Sequence, residues 1–254
     1  MNNLKKEIII KIKEQFSLKQ TFTRKELYDL LASNFYPNLK ETTFRWRIYD
    51  LKQSNVIVSI SRRIFKRSDK KNIFVPVLDK KIIEISNLIQ QNFRLINYCL
   101  WNSKWLNEFS RHQAMNEIIF VEVEKDLIKS VFNLLLDNNY NNVYIQPDKF
   151  ISETYISENQ SSVIVKSLIT KSPIKNVNNS SVPKLEKILV DLFSERNYLV
   201  AYKGYEQKNI FENAIDTFQL NFSTLINYSR RRKKDKLIKE YLIKEINIKK
   251  DIFE

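Results

Sequence analysis

The residues best suited to chemistry lie between Lys40 and Arg67, where an amphipathic helical pattern runs into a basic strand pattern. Phe44, Ile48 and Leu51 recur at i, i+4 and i+7, which predicts one buried helical face. The opposite face then carries side chains that hydrogen-bond or stack, namely Thr42, Arg45, Trp46, Tyr49 and Gln53. A helix that presents arginine, aromatic and amide groups in this way suits the major groove of DNA.

The side chains of this helix favour different contacts. Arg45 is the best candidate for a bidentate hydrogen bond to guanine, and Gln53 can hydrogen-bond adenine. Trp46 has two interpretations, packing between the helix and the following hairpin or touching DNA directly. Contacts to phosphate or sugar are expected from Thr42, Thr43 and Tyr49. The alternative for the whole segment is an ordinary amphipathic surface helix beside a hairpin.

A basic segment follows the helix. Valines and isoleucines at positions 56–60 predict a strand. Basic residues then follow in the returning segment of the hairpin and just after it, at Arg62, Arg63, Lys66, Arg67, Lys70 and Lys71. Such a basic hairpin suits the phosphate backbone. Helix and hairpin together predict the last helix and the wing of a winged helix-turn-helix domain.

The net charge of +14 is unevenly distributed along the chain. Residues 1–75 carry 17 Lys and Arg against 7 Asp and Glu, residues 76–227 carry 16 against 17, and residues 228–254 carry 10 against 5. The basic excess therefore lies at the two ends. A polyanionic partner is expected to meet the N-terminal region and the tail.

Composition excludes several classes of site. One glycine, Gly204, argues against a P-loop or another glycine-rich nucleotide site. One cysteine, Cys99, excludes an intrachain disulfide framework and a cysteine-based zinc site, and its apolar surroundings predict a buried, inert thiol. We expect no cofactor or metal. Because no stretch reaches about 18 apolar residues, we expect a soluble, cytoplasmic protein without a membrane partner.

The elements before the junction near residue 76 predict a winged-helix domain over residues 1–76. Ile8, Ile9, Ile12 and Phe16 form a helical stripe. Thr23 with Glu26 is a capping-box pattern that opens a second helix over 23–34. A turn containing Pro37 leads to the third helix, over 40–54, and strands follow only after it.

Residues 80–254 predict a larger domain in which strands and helices alternate. After a helix at 80–92, we expect strands at 95–101, 118–124, 142–146 and 162–169, with helices at 103–110 and 127–137 between them. Residues 171–183 are expected to be a loop, and helices follow at 184–195, 207–217, 221–233 and 234–247. The fold class is therefore α+β, with an α/β second domain built on a mixed or parallel sheet.

Two features of the second domain bear on catalysis. Glu122 and Glu124 share a strand face near a strand end, where carboxylates can bind a divalent metal, as in some nucleases. Such a nuclease needs a lysine two positions after the second acid, whereas Lys125 follows directly, so we favour a solvated or paired strand end. His112, the only histidine, is best interpreted as a surface or structural residue. A metal-dependent nuclease targeted by the winged helix remains the rival hypothesis.

The last feature is a dense run of basic residues. Arg230, Arg231, Arg232, Lys233 and Lys234 follow one another in a predicted helix. They form either a solvated face or a second basic surface for phosphate, RNA or an acidic partner.

The order of several motifs supports a family resemblance. After the winged-helix segment come WNSKW at 101–105, FVEVEKD at 120–126, VIVKSLITKSP at 163–173, VPKLEKILVDLF at 182–193 and YSRRRK at 228–233. In this order they resemble the AbiEi-type antitoxins of bacterial type IV toxin–antitoxin and phage-abortive systems.

The resemblance implies two activities. The N-terminal domain is expected to bind the operator of its own operon as double-stranded DNA and to repress transcription. The C-terminal domain is expected to counteract a nucleotidyltransferase-like toxin, with the basic C-terminal helices as the neutralising surface. A lone regulator without a toxin is the alternative, and both a monomer and a dimer are compatible with the sequence.

Overall fold

The computed structural model describes residues 3–17, 21–54, 56–68, 73–195 and 197–253, with the backbone alone for Asn3 and Gln53. The fold is α+β, as predicted. The described residues divide into two compact units. The first unit takes its residues from Met1–Ile73, Thr217–Ser223 and Ile248–Glu254, and the second from Phe74–Asp216 and Thr224–Asn247.

The first unit is a winged helix. Its elements are α1 (Asn3–Gln15), β1 (Thr21–Thr23), α2 (Arg24–Asn34), α3 (Glu41–Gln53), β2 (Ile57–Ser59) and β3 (Ile64–Arg67). The strands form an antiparallel sheet in the order β1-β3-β2, with Thr23 opposite Ile64 and Ser59 opposite Phe65. The prediction that strands follow only after the third helix is wrong, because β1 lies between α1 and α2.

The core of this unit joins the helices to the sheet. Ile8 and Ile12 of α1 pack with residues of α2 and α3, and the rings of Phe16 and Phe22 stack with their centroids 3.9 Å apart. The capping box is confirmed, because Glu26 N donates to Thr23 Oγ1 while the Thr23 backbone N–H donates to the Glu26 carboxylate. This reciprocal pair satisfies backbone N–H groups at the start of α2.

Residues from the end of the chain complete the first unit. The backbone N–H of Phe222 donates to Ile60 O over 3.0 Å, and the rings of Phe222 and Phe253 meet edge to face. A short 3₁₀ helix, Lys250–Phe253, carries the second of these rings. The β2–β3 turn is therefore supported by residues about 160 positions further along the chain.

The second unit contains most of the remaining elements. The helices and strands after β3 are α4 (Lys80–Asn92), β4 (Tyr98–Asn102), β5 (Glu117–Val123), α5 (Ile128–Asp137), β6 (Val143–Ile145), α6 (Lys149–Ile151), β7 (Ser161–Ser167), β8 (Ile174–Val177), β9 (Ser180–Pro183), α7 (Leu185–Ser194), α8 (Tyr205–Thr217), α9 (Phe222–Arg231) and α10 (Asp235–Lys244). Short 3₁₀ helices occur at Ser103–Glu108, Lys125–Leu127 and Val200–Tyr202, and a π-helical turn at Ser152–Ile156.

Four of these strands form a mixed sheet, as predicted. The strand order is β4-β5-β7-β6, with β4 antiparallel to β5 and the other two pairs parallel. The parallel register sets Glu122 of β5 directly beside Lys166 of β7, near the carboxyl ends of both strands. The sheet therefore places opposite charges from distant parts of the sequence side by side.

One local prediction in this unit is wrong, and another is right about the strand but not about where it starts. Residues 171–183 contain the β8–β9 hairpin, whose two turn residues, Asn178 and Asn179, have φ values of 45° and 62°. Asparagine tolerates this left-handed conformation, which two-residue hairpin turns require. The strand expected at 95–101 begins only at Tyr98, since Leu95 is fully exposed with a φ of 60°.

No helix within the described ranges has the length and apolar composition needed to span a lipid bilayer.

Candidate nucleic-acid interface

Helix α3 has two faces of opposite character. The buried face consists of Phe44, Ile48 and Leu51. On the other side, three exposed residues at i, i+4 and i+7 line up with an exposed arginine beside them. This exposed stripe of α3 consists of Thr42, Arg45, Trp46 and Tyr49. Thr43 is also exposed, on the flank of the stripe. The helix thus keeps its hydrogen-bonding and aromatic groups free of the core.

Contacts at both ends hold α3 in position. The hydroxyl of Tyr28 on α2 donates to Leu39 O over 2.6 Å, which ties α2 to the turn that precedes α3. Near the other end of the helix, the ammonium of Lys5 lies 2.7 Å from Asp50 Oδ1, a partly buried ion pair between α1 and α3. The exposed stripe is therefore carried by a helix anchored to both of its neighbours.

Arg45 is held in the free protein by an acidic neighbour. Its Nε donates to Glu41 Oε1 over 2.9 Å, and Arg24 Nη2 approaches the same oxygen at 2.5 Å. Hydrogen bonds from Arg24 and Arg45 lower the pKa of Glu41 below its usual value. Because the Arg45 side chain is 74% exposed, this ion pair contributes little, and its guanidinium can turn toward an anionic or polar partner.

The two aromatic residues of the stripe contact each other. The rings of Trp46 and Tyr49 meet edge to face, with centroids 6.0 Å apart and an interplanar angle of 71°. Trp46 is nevertheless 68% exposed and Tyr49 57% exposed. Of the two interpretations of Trp46, this exposure favours the one in which the ring is available to a partner.

The β2–β3 turn presents a pair of arginines. Arg62 and Arg63 are both exposed within it. Backbone hydrogen bonds hold this turn in place. Ile60 N and Ser61 N donate to Ile64 O, and Arg24 N donates to Arg63 O over 2.7 Å. Lys66 lies further along β3, opposite Val58 and Thr21, and is partly buried. The free positive charge of the hairpin is therefore concentrated at its turn.

Arg67 has a different position from the other predicted contacts. It lies at the end of β3 away from the turn, and its Nη1 donates to Lys13 O and Phe16 O over 3.0 and 2.9 Å. The guanidinium thus caps carbonyls at the end of α1. Lys70 and Lys71 lie outside the described residues, and so does the side chain of Gln53, whose backbone ends α3.

The C-terminal basic run does not form one helical face, because the helix predicted at about 221–233 is present but ends two residues earlier. Helix α9 ends at Arg231, Lys233 has a φ of 55°, and Lys234 precedes α10. Arg230 and Arg231 are exposed, and Arg230 lies 3.8 Å from Asp235. The chain turns at Arg232, whose guanidinium points inward to Asp191 Oδ1 at 3.6 Å.

Asp191 belongs to a buried charged cluster that local sequence patterns did not reveal. Lys187 Nζ lies 2.8 Å from Glu122 Oε1 and 2.5 Å from Asp191 Oδ2. Lys166 Nζ lies 3.7 Å from the same Glu122 oxygen, and Trp101 Nε1 donates to it over 3.1 Å. The available signal was a lysine and an aspartate four residues apart within LEKILVDLF, a run that is apolar apart from these two residues and Glu186.

The charges of this cluster stabilise one another. Burial disfavours the charged form of Lys187, but Asp191 and Glu122 outweigh it and hold the lysine pKa well above its usual value. Burial likewise disfavours ionised Asp191, but Lys187, Lys166 and Arg232 lower its pKa below 3.8. The thiol of Cys99, fully buried nearby, has a raised pKa because of that burial. This confirms its interpretation as a buried thiol.

The two carboxylates of the nuclease hypothesis, Glu122 and Glu124, lie in different surroundings. Glu122 is 1% exposed and is paired with Lys187, so the interpretation of a paired strand end applies to it. Glu124 follows the end of β5, is exposed, and accepts a hydrogen bond from Asn97 Nδ2 over 2.7 Å. His112 is exposed, as expected. Across the described ranges, no three His, Cys, Asp or Glu side chains are grouped to hold a metal ion.

The chain belongs to a family of unknown function, DUF6577, whose family model matches residues 43–248. The match begins within α3 and includes the β2–β3 hairpin and the whole second unit. Searches of curated proteins and of solved structures returned no match.

Proposed function

We propose that the first unit binds double-stranded DNA and that the protein is a transcriptional regulator of its own operon. Helix α3 enters the major groove with its exposed stripe, while Arg62 and Arg63 contact phosphates from the β2–β3 turn. The mechanism is occupancy of an operator in the bacterial cytoplasm rather than chemistry. The observation that carries the proposal is the stripe of Thr42, Arg45, Trp46 and Tyr49, left exposed opposite the buried face of α3.

The charge of the first unit supports this proposal. Residues 1–75 carry a net charge of +10, while residues 76–227 are nearly neutral. A winged helix with this excess attracts a polyanion before any base is contacted. Arg45 can then exchange its exposed ion pair with Glu41 for hydrogen bonds to a base.

Salt dependence tests the proposal. Binding of the full chain to a duplex of about 30 base pairs, roughly three helical turns, is measured by fluorescence anisotropy between about 50 and 200 mM salt. We expect binding that weakens with salt. The double variant Arg62→Ala/Arg63→Ala is expected to weaken binding to all sequences and to flatten the plot of log K against log salt by about 1.8.

A matched control removes two exposed charges from the second unit. Arg94→Ala/Lys129→Ala has the same change in net charge but lies in the other unit, so its salt slope is expected to match that of the unmodified protein. Failure to bind any duplex at the lowest salt would contradict the proposed DNA binding. Equal slopes for the two double variants would remove the β2–β3 turn from the interface.

Repression of its own promoter tests the regulatory part. A reporter gene behind the upstream region of this chain's operon is expected to be repressed by the protein and released by Arg45→Ala/Trp46→Ala. Repression unaffected by that variant would contradict the role of α3.

For the second unit, the resemblance to AbiEi-type antitoxins supports a role against a nucleotidyltransferase-like toxin. The exposed residues Arg230, Arg231 and Lys233 are its basic surface, since Arg232 is engaged with Asp191. Co-expression with a nucleotidyltransferase-like protein encoded beside it is expected to relieve growth arrest. If no such reading frame adjoins the gene, the protein is a lone regulator.

A further inference from the structure

We propose that Trp46 and Tyr49 make the exposed stripe of α3 selective for thymine, through contacts of their rings with thymine methyl groups. The inference rests on the proposed DNA binding and names what that surface recognises. It makes these two residues determinants of sequence specificity. The turn arginines, Arg62 and Arg63, supply affinity instead.

The chemistry of the groove points to the methyl group. Among the base edges in the major groove, thymine is distinguished by an apolar group, the 5-methyl, while the other features are hydrogen-bond donors and acceptors. A Trp and a Tyr that remain 68% and 57% exposed present apolar surface that hydrogen bonds cannot satisfy. Burying this surface against methyl groups removes it from water.

The geometry sets the spacing of the contacts. Trp46 and Tyr49 are three residues apart, about 4.5 Å along a helix axis, whereas stacked base pairs lie about 3.4 Å apart. The two rings therefore face neighbouring base pairs. Because they meet edge to face at 6.0 Å, each limits the movement of the other, and neither is a free wedge for insertion between bases. The expected target is a pair of adjacent thymines.

The remaining stripe residues fit this arrangement. Thr42 precedes Trp46 by four residues on the same line, and its hydroxyl is the group expected to contact phosphate or sugar. Arg45 lies beside the rings and supplies a hydrogen bond to a neighbouring guanine. The expected site therefore combines adjacent thymines with a guanine.

Replacing thymine by uracil provides the test, because it removes the methyl group and keeps every hydrogen-bonding group. The 254-residue chain is first used to enrich a duplex from a randomised pool. That duplex is then synthesised with thymine or with uracil, and both affinities are measured. We expect uracil to weaken binding about fourfold for each contacted methyl group, with an unchanged salt slope.

Variants then assign the effect to the two rings. Trp46→Ala/Tyr49→Ala is expected to bind the thymine and uracil duplexes equally, whereas Arg62→Ala/Arg63→Ala weakens both and keeps their ratio. Trp46→Phe, which retains an aromatic ring, is expected to keep the preference. Since Trp46 and Tyr49 are exposed, circular dichroism is expected to show an unchanged fold for all of these variants.

The outcomes separate the two proposals. Equal binding of thymine and uracil duplexes by the unmodified protein overturns thymine selectivity and leaves DNA binding standing. A uracil effect that survives in Trp46→Ala/Tyr49→Ala also overturns it, because other residues then contact the methyl groups. Failure to bind any duplex contradicts the proposed function itself.

Discussion

The ammonium of Lys187 lies 2.8 Å from the carboxylate of Glu122, although the two residues are 65 positions apart and neither reaches solvent. Asp191 is the second acidic partner of Lys187, and Tyr228 Oη donates to Asp191 Oδ1 over 2.9 Å. The cluster thereby links β5 to α7 and α9. A buried charge is tolerated only when such partners surround it, so each member depends on the others.

Removing the lysine leaves two buried acids without their central partner. We expect Lys187→Met to lower the free energy of unfolding of the full chain by about 3–5 kcal/mol. Denaturant unfolding followed by circular dichroism measures this loss. Lys129→Met, an exposed helical lysine, is the control and is expected to change stability little. A loss below about 1 kcal/mol for Lys187→Met would mean that the cluster behaves like a surface ion pair.

The same cluster predicts a pH dependence. The folded-state pKa of Asp191 lies below 3.8, so its contribution is complete above that value and decreases as pH falls below it. The folded-state pKa of Lys187 lies well above 10.5, so its contribution is complete below that value and decreases as pH rises beyond it. The stability difference between the unmodified protein and Asp191→Asn is therefore expected to be constant between these limits and to shrink outside them. A difference that grows below pH 3.8 would contradict the assignment.

Arg67 is expected to matter for folding rather than for phosphate contact. Arg67→Ala removes two hydrogen bonds to carbonyls at the end of α1 and is expected to cost about 1–3 kcal/mol. Hydrogen exchange is expected to accelerate at the end of α1. Arg62→Ala, in the exposed turn, is expected to leave exchange there unchanged. Equal stability of both variants would show that the two carbonyl contacts contribute nothing.

The capping box offers a local test of the first unit. Thr23→Ala removes the acceptor for Glu26 N and is expected to reduce stability by about 1 kcal/mol. Thermal unfolding monitored by circular dichroism measures the change. Thr42→Ala, an exposed threonine in the first turn of α3, is the comparison and is expected to have no such cost.

The rival nuclease hypothesis has a direct test. We expect no cleavage when the full chain is incubated with DNA or RNA and magnesium or manganese. Glu122 is already paired with Lys187, and Glu124 lies beyond the strand end. Glu124 is exposed, so Glu124→Gln is expected to leave the fold intact. Cleavage that disappears in this variant would instead support a metal-dependent enzyme.

Features that depend on neighbours along the chain were predictable from sequence. The buried stripe of α3, the Thr23–Glu26 capping box and the helix at 80–92 follow from spacings of three or four residues, which helical geometry fixes. The charge excess of residues 1–75 also requires no tertiary information. The exposed stripe of α3, on which the proposed DNA binding rests, was therefore predictable from the sequence alone.

Features that depend on distant partners became known only from the tertiary structure. Strand β1 has three residues, too few for an alternating pattern, and exists because it pairs with β3. Arg62 and Arg67 look equivalent in sequence, yet one is exposed and the other binds the end of α1. Lys187 likewise is buried because Glu122 is brought beside it by the sheet. Whether a charged side chain faces solvent or the interior depends on which opposite charges the fold supplies, and no local pattern contains that information.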